Sequence, residues 1–213
     1  MNLPKHQLAN TSCADFLLDL VAHRLTWLTL PQLMEIATQA GFNDGKVRTQ
    51  IRRCWTMGLL YRGIRNAVPT PNATCWYDSR RPTQVDAVIQ KFVADEVVRR
   101  QLPTEVTELI GIGPLAAGLL GITRPIEPNH QQLAAQQRLA LAYKMHFANG
   151  LEPEQWQQLQ SHQFLARLSA VAQMTSPCGN SHRLIVAPYA TSRLRIERLI
   201  KRINELQVPY ELW

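Results

Sequence analysis

The stretch from Asp44 to Tyr61 constrains the fold of this chain more than any other. Apolar or small residues recur in it at helical spacing, so one stripe of a predicted helix faces a core: Val47, Ile51, Cys54, Trp55 and Gly58. Asn43 or Asp44 can cap the start of this helix, and Gly58 can end it before a strand-like segment. The chain must therefore supply a core for one side of this helix.

The opposite face of the same helix has the chemistry of a DNA-reading surface. It carries Lys46, Thr49, Gln50 and Arg53. Arginine can bind the edge of guanine with two hydrogen bonds, glutamine can do so with adenine, and lysine and threonine can reach phosphates. The alternative is a solvated basic face on an ordinary surface helix. The flanking segments are needed to choose between these two interpretations.

The segments around this helix predict a winged helix. Cys13–Leu25 has helical spacing with Ser12 as a cap, and Thr29 to Gln32 form a capping box that starts a second helix ending near Gly41. After the third helix, Leu60–Asn66, a turn at Pro69–Asn72 and Thr74–Tyr77 predict a hairpin. Three helices followed by a hairpin are the winged-helix order, so we predict such a domain over residues 12–80.

In a winged helix the third helix enters the major groove and the hairpin lies beside the backbone or the minor groove. Arg62 and Arg65 fall on the predicted hairpin, where phosphate contact is their natural role. A core position is predicted for three tryptophans, because each falls on an apolar stripe or strand: Trp27, Trp55 and Trp76. A winged helix that binds protein instead of DNA stays open.

Residues 81–128 are predicted as a helical linker. Thr83–Gln101 reads as a helix that could mediate a homodimer or pack on its own domain, with a buried side made of Val85, Val88, Ile89, Phe92, Val93 and Val97. The Gly-rich run Leu109–Ile122 lacks the GK[ST] of a phosphate-binding loop, and its Pro114 predicts a turn into a short apolar helix.

Residues 129–213 are predicted as a small α/β domain. Asn129–Asn149 is a strong helix, on which His130 and His146 are too far apart to share a metal ion. Glu152–Leu168 is predicted as a further helix anchored by Trp156, Leu159 and Phe164. The chain then reads as strand, helix and strand: His182–Pro188, Ser192–Leu206 and Val208–Trp213.

The charge of the chain favours a polyanionic partner. The formal net charge is +7 and the pI is about 9.6. The excess is concentrated in Lys46–Arg65, with six Lys or Arg, and in Arg193–Arg202, with five. An anionic membrane surface is less favoured, since neither cluster has the aromatic-studded apolar face of an interfacial helix. No apolar run approaches the roughly 20 residues of a membrane span, and we expect a cytoplasmic protein.

The cysteines argue against a metal or disulfide framework. Cys13, Cys54, Cys75 and Cys178 lie far apart, with no CxxC pair. The composition therefore predicts four reduced thiols, no metal and no cofactor.

The order of parts resembles the replication-relaxation family, which includes mobilisation proteins acting at the transfer origins of plasmids and conjugative elements. The resemblance covers about Ser12–Glu205 and rests on the winged-helix pattern, GIGPLAAGLLGI, the His-led helix HQQLAAQQRLALAY, a Trp-bearing segment and the terminal strand with its Arg-rich helix. It implies DNA as a partner, alongside other relaxosome or mobile-element proteins. It also implies a restriction-endonuclease-like C-terminal domain.

The carboxylates that active members of this family use for catalysis are missing from this chain. Active members have a strand bearing an acid with a nearby lysine, whereas no Asp or Glu occurs here between Glu154 and Glu197. Metal-assisted phosphodiester cleavage needs oxygen ligands. Tyr189 has no His-x-His metal site to accompany it and is read as a core or rim aromatic.

We therefore predict an α+β, mostly helical protein that binds double-stranded DNA without catalysis, as a relaxosome accessory factor or a transcriptional regulator. The predicted DNA contacts are Lys46, Arg48, Thr49, Gln50, Arg52, Arg53, Arg62, Arg65, Arg195, Arg198, Lys201 and Arg202. One rival is a metal-dependent nicking enzyme that draws its carboxylates from Glu105, Glu108, Glu152 and Glu154. The other is a docking subunit of a larger nucleoprotein complex.

Overall fold

The fold is α+β and mostly helical. The computed structural model describes residues 12–68, 75–81, 83–159, 170–175, 178–186, 192–205 and 208–213. The helices of these residues are α1 (Cys13–Asp19, continued by a π-helical turn over Leu20–Arg24), α2 (Leu30–Gln39), α3 (Asp44–Thr56), α4 (Val85–Gln101), α5 (Pro114–Leu120), α6 (His130–Ala148) and α7 (Arg193–Asn204). The strands are β1 (Trp27–Thr29), β2 (Leu60–Ala67), β3 (Tyr77–Asp78), β4 (Glu105–Ile112), β5 (Trp156–Leu159), β6 (Ala170–Thr175), β7 (Ser181–Val186) and β8 (Tyr210–Leu212).

The first three helices begin where the local sequence predicts. Ser12 caps α1, and Asn43 caps α3 by accepting from the Gly45 N–H. At α2 both halves of the capping box between Thr29 and Gln32 are present. Each cap satisfies backbone N–H groups that lack a partner within the helix, so a polar side chain of the right reach determines the helix start.

The first sheet differs from the predicted hairpin. Its order is β1–β4–β2, and β2 pairs antiparallel with β4 from Leu60 opposite Ile112 to Ala67 opposite Glu105. The predicted partner of β2 was wrong: Tyr77–Asp78 pairs with β8 in the other sheet, and Pro69–Asn72 and Thr74 lie outside the described residues. Residues 81–128, predicted as a helical linker, contribute the central strand of this sheet as well as α4 and α5.

Two glycines of the Gly-rich run allow this sheet to pack closely. A Cβ at Gly111 would lie 2.4 Å from the Trp27 ring, its cross-strand neighbour. A Cβ at Gly113 would lie 2.2 Å from the Gly58 carbonyl oxygen. The run therefore serves close packing of strand and turn, and α5 begins at Pro114 as predicted.

The second sheet has the order β3–β8–β7–β6–β5, in which only β7 and β8 run parallel. The predicted strand–helix–strand unit is confirmed, because α7 connects these two parallel strands. Leu184 and Val186 join the core shared with α6, whereas Ile185 joins the core that contains residues of α4 and α7. The sheet is thus covered by helices on both faces, which places alternate residues of each strand in different cores.

Two sequence predictions in this half need correction. Trp156–Leu159 is strand β5, paired with β6, and not part of a helix; Phe164 lies outside the described residues. A segment this short is compatible with either period, and the free edge of β6 determined its structure. On α4, Val88, Ile89 and Phe92 are buried as predicted, whereas Val85, Val93 and Val97 are exposed, because core residues cover only one face of the helix. No described helix has the length and apolarity of a membrane span.

Candidate functional site

Helix α3 holds its polar face outward because three side chains anchor the other face. Val47, Ile51 and Cys54 are buried in the main core, as predicted. The side chains on the remaining faces are exposed, apart from half-buried Gln50: Lys46, Arg48, Thr49, Arg52 and Arg53. The helix therefore presents the predicted contact residues together on its open side.

The four cations of α3 lack carboxylate partners among the described residues. Ion pairs in that part of the chain involve neither Lys46, Arg48, Arg52 nor Arg53. The Lys46 ammonium lies 5.9 Å from the centre of the Phe42 ring, a cation–π distance. Unpaired surface cations keep their full charge for an external anion.

An open groove of about 340 Å³ lies between α3 and the first sheet. It is lined by Leu30, Arg48, Thr49, Ile51, Arg52, Arg62 and Glu108. Four of these are predicted contact residues, so the structure brings Arg48, Thr49, Arg52 and Arg62 around one concave surface. A cleft lined by three arginines concentrates positive potential, which Glu108 partly offsets.

Both arginines of the predicted wing are held in ion pairs. Nε of Arg62 donates to Oε2 of Glu108 at 2.8 Å, and this bond raises the pKa of Arg62. Arg65 forms an ion pair with Glu127. A phosphate at either arginine would have to replace an existing carboxylate partner, which lowers the net gain from the contact.

Trp55 is part of this surface and not of the core, contrary to the sequence prediction. Its side chain is 45% exposed, whereas Trp27 and Trp76 are buried as predicted. Cys54 occupies the core-facing position next to it, and successive helix residues point about 100° apart. The indole therefore lies at the end of the exposed face of α3.

The second basic cluster is on another surface. Arg195, Arg198, Lys201 and Arg202 are exposed on α7, and none of them lines the groove beside α3. On the same helix Arg193 pairs with Asp86 at 2.8 Å and with Glu197 at 2.9 Å. The structure thus places the predicted contact residues on α3, on β2 and on α7.

The carboxylates of the nicking hypothesis do not assemble into a metal site. Within the described parts of the chain, no cluster of metal-ligating side chains includes Glu105, Glu108, Glu152 or Glu154. Glu108 is already bound to Arg62. Tyr189 lies outside the described residues.

A polar cluster that the sequence analysis missed lies between α6 and the second sheet. Nε2 of His146 on α6 lies 2.9 Å from Oε2 of Glu211 on β8, and Nε2 of His182 on β7 lies 3.4 Å from Oε1 of the same carboxylate. These side chains are of types that bind metal ions, and their candidate ligand atoms lie within 4.8 Å of one another. Sequence spacing gave no signal for them, because each comes from a different element.

Glu211 is a buried anion in this cluster, with 4% exposure. Burial of the carboxyl opposes ionisation, but His146, His182 and the Trp213 N–H outweigh it and hold the pKa of Glu211 far below its ordinary value. The Trp213 Nε1–H donates to Oε2 at 2.9 Å, and Arg80 pairs with Oε1. The carboxylate is therefore charged at neutral pH.

Three comparisons with known proteins gave no match to this chain. A scan against protein-family models, a search of curated proteins and a search of solved structures each gave no match to the chain. The resemblance to the replication-relaxation family stays a prediction from the sequence, and the function must be argued from the surfaces themselves.

Proposed function

We propose that this chain is a sequence-specific double-stranded-DNA-binding protein that uses α3 as its recognition helix. The observation that carries this proposal is the open face of α3, on which Lys46, Arg48, Arg52 and Arg53 have no carboxylate partner among the described residues. A surface that keeps four cations unpaired on one helix is suited to a ligand with a row of negative charges.

The connectivity around α3 supports this proposal. The chain runs in the order α1, β1, α2, α3, β2 and reaches β4 after β3 and α4, and β1, β4 and β2 form one antiparallel sheet. We read this order as a variant of the predicted winged helix, in which residues 68–104 separate the last two strands. In such an arrangement the third helix is free to enter the major groove while the strands flank the backbone.

Within this interface the residues would have different roles. Arg53 and Gln50 are suited to base edges, and Arg48, Arg52 and Lys46 to phosphates beside the groove. Arg62 would contribute less than the α3 cations, because Glu108 competes for its guanidinium. The basic face of α7 would add a second, sequence-independent contact to the backbone.

The resemblance supplies the cellular setting of the proposal. It implies an accessory factor at a transfer origin or a transcriptional regulator of a mobile element. We place this factor in the cytoplasm and without catalysis, because no Asp or Glu occurs between Glu154 and Glu197 to hold a catalytic metal ion. The position of the bound site, beside a transfer origin or a promoter, separates these two roles.

The test is a selection of bound duplexes from a random library, followed by titration of the selected site and of a scrambled duplex at two salt concentrations. The double variant Arg48→Ala/Arg52→Ala should weaken binding and reduce the salt slope by about 2, one for each lost phosphate contact. The matched control is Arg195→Ala/Arg198→Ala on α7, which should weaken binding to both duplexes by the same factor.

The proposal would be contradicted if the α7 variant lost all sequence preference while the α3 variant bound normally. That result would assign sequence recognition to α7. Weak and sequence-blind binding by the wild-type protein would favour a protein-docking role instead. Magnesium-dependent nicking of supercoiled DNA in the same preparation would favour the enzyme.

A further inference from the structure

We propose that His146, His182 and Glu211 form a binding site for one divalent transition-metal ion of the zinc type. Two imidazole nitrogens and one carboxylate are a ligand set that zinc uses in proteins. This site is separate from the DNA surface on α3 and from the carboxylates of the nicking hypothesis.

The fold brings the three ligands together from elements far apart in the chain. In the parallel pair of β7 and β8, Leu184 is opposite Glu211, so His182 and Glu211 lie on the same face of the sheet. Helix α6 covers that face and contributes His146, 65 residues before Glu211. The site therefore forms only when the helix has packed on the sheet, as is typical of metal sites coupled to folding.

The distances allow an ion to be placed between the side chains. The separation of 3.4 Å between Nε2 of His182 and Oε1 of Glu211 matches that of tetrahedral ligands that share one ion at bond lengths of about 2.0–2.2 Å. The 2.9 Å contact between Nε2 of His146 and Oε2 is a hydrogen bond, which the ion would replace. The largest ligand separation is 4.8 Å, so one imidazole must turn inward by roughly 1 Å to complete the set.

One nitrogen of the cluster lacks a well-formed hydrogen bond. Nε2 of His182 is buried, and its contact with the carboxylate is a 3.4 Å ion-pair distance to Oε1 of Glu211. Buried polar atoms nearly always have a partner, and an orphan among them can indicate an ion that the site was built to hold. Coordination of a metal ion by His182 would satisfy this nitrogen.

The surroundings of Glu211 have the form of an outer ligand shell. The Trp213 indole N–H orients the carboxylate by donating to Oε2 at 2.9 Å. Such outer contacts fix ligand geometry in metal sites. Arg80 pairs with Oε1 but also binds Asp78 at 2.9 Å, so it can keep Asp78 as a partner when a metal ion replaces it at Glu211.

The two imidazoles are the most exposed part of the cluster. The side chains of His146 and His182 are 23% and 18% exposed, whereas that of Glu211 is 5% exposed. An approaching ion would therefore meet the imidazoles first. Three protein ligands leave a coordination position for water or a small anion, as in zinc sites that are not purely structural.

The test is a titration of the EDTA-treated full-length protein with Zn²⁺ by calorimetry, and with Co²⁺ by visible absorption. We expect one ion per chain. His146→Gln, His182→Gln and Glu211→Gln should each weaken binding by about 10- to 100-fold or more. The matched control is His130→Gln, an exposed histidine on the same helix, which should bind as the wild type does.

A second measurement uses only the wild-type protein, so it does not depend on how the variants fold. Zn²⁺ should protect His146, whose side chain is 23% exposed, from diethyl pyrocarbonate, mapped by peptide mass spectrometry, while exposed His23 and His130 stay reactive. Absence of one-to-one binding, or equal binding by the wild type and all three ligand variants, would overturn the proposal. Protection of the exposed histidines alone would do the same.

The contact with Arg80 offers a further check. Removal of this cation should tighten Zn²⁺ binding, because a positive charge that competes for Glu211 is lost. We expect Arg80→Ala to increase affinity by about tenfold, the equivalent of one pKa unit in interaction strength. A decrease would mean that Arg80 supports the carboxylate rather than competing for it, and would contradict this placement of the ion.

Discussion

The guanidinium carbon of Arg62 on β2 lies 5.1 Å from the centre of the Trp55 ring on α3. The contact joins the end of α3 to β2 at the surface, where both side chains are exposed. Arg62 is thus held between an indole and the Glu108 carboxylate. It is positioned at the groove by the protein itself, whereas Arg48, Arg52 and Arg53 form no ion pair with the described residues.

The proposed division between reading and positioning residues predicts two different phenotypes on DNA. Arg53→Ala should relax sequence preference at a cost of about 1–3 kcal/mol, because a base-edge contact is lost. Arg65→Ala should weaken all sequences alike and reduce the salt slope by at most about 1, since Glu127 already pairs with this arginine. Competition titrations on the selected and random duplexes measure both effects. Equal losses on the two duplexes for both variants would refute the division.

Close packing predicts opposite stability effects at two glycines of the same run. Gly111→Ala should lower the free energy of unfolding by about 1–3 kcal/mol, because the new Cβ would overlap the Trp27 ring. Gly118→Ala on α5 should raise it by about 0.5–1 kcal/mol, since nothing lies within 4 Å and alanine favours the helix. Denaturant unfolding of the two variants measures the difference. If both variants gain stability, the strand pairing of β1 and β4 is wrong.

A buried arginine between α4 and α6 predicts that the loss of one carboxylate partner lowers the stability of the fold strongly. Arg138 is 1% exposed; its Nη2 lies 3.4 Å from Oδ2 of Asp95, which also accepts from the Trp76 indole at 2.6 Å. Asp95→Ala should destabilise the fold by about 3–5 kcal/mol, because it removes a partner of a buried charge.

The control for Asp95 is Asp86→Ala on the same helix. Asp86 pairs with Arg193 in solvent, so its loss should have little measurable effect. Thermal unfolding of both variants, followed by circular dichroism, makes the comparison. Similar melting temperatures for the two variants would contradict the buried role of Asp95.

The four thiols should fall into two classes of reactivity, with one thiol that reacts fast and three that react slowly. Cys178 is exposed, whereas burial raises the pKa of Cys13 and Cys54, and it raises the pKa of Cys75 to about 12. Only the thiolate reacts, so at pH 8 roughly one Cys75 side chain in ten thousand is reactive, and labelling should rise about tenfold per pH unit below 12. Labelling by Ellman's reagent measures this. Cys178→Ser should remove the fast phase, and a remaining fast phase would contradict the raised pKa values of the other three thiols.

Short-range features of the sequence were sufficient to predict most of the helices and the residues at which they begin. The starts of α2, α3, α6 and α7 follow from Thr29, Asn43, Asn129 and Ser192, because a cap is satisfied within one turn of its own chain. The buried stripe of α3 and the strand–helix–strand unit around α7 follow from periodicity in the same way. The face of α3 proposed to read DNA could therefore be identified from the sequence.

Tertiary structure alone decided which distant segments meet. The partner of β2 is β4, whereas Tyr77 pairs with β8, because a strand's alternating pattern specifies a face but not which other strand will pair with it. The ion pairs of Arg62 and Arg65, and the meeting of His146, His182 and Glu211, depend on that pairing and on the packing of α6. Contacts within a turn are set by local backbone geometry, whereas contacts across many residues depend on how whole faces are buried.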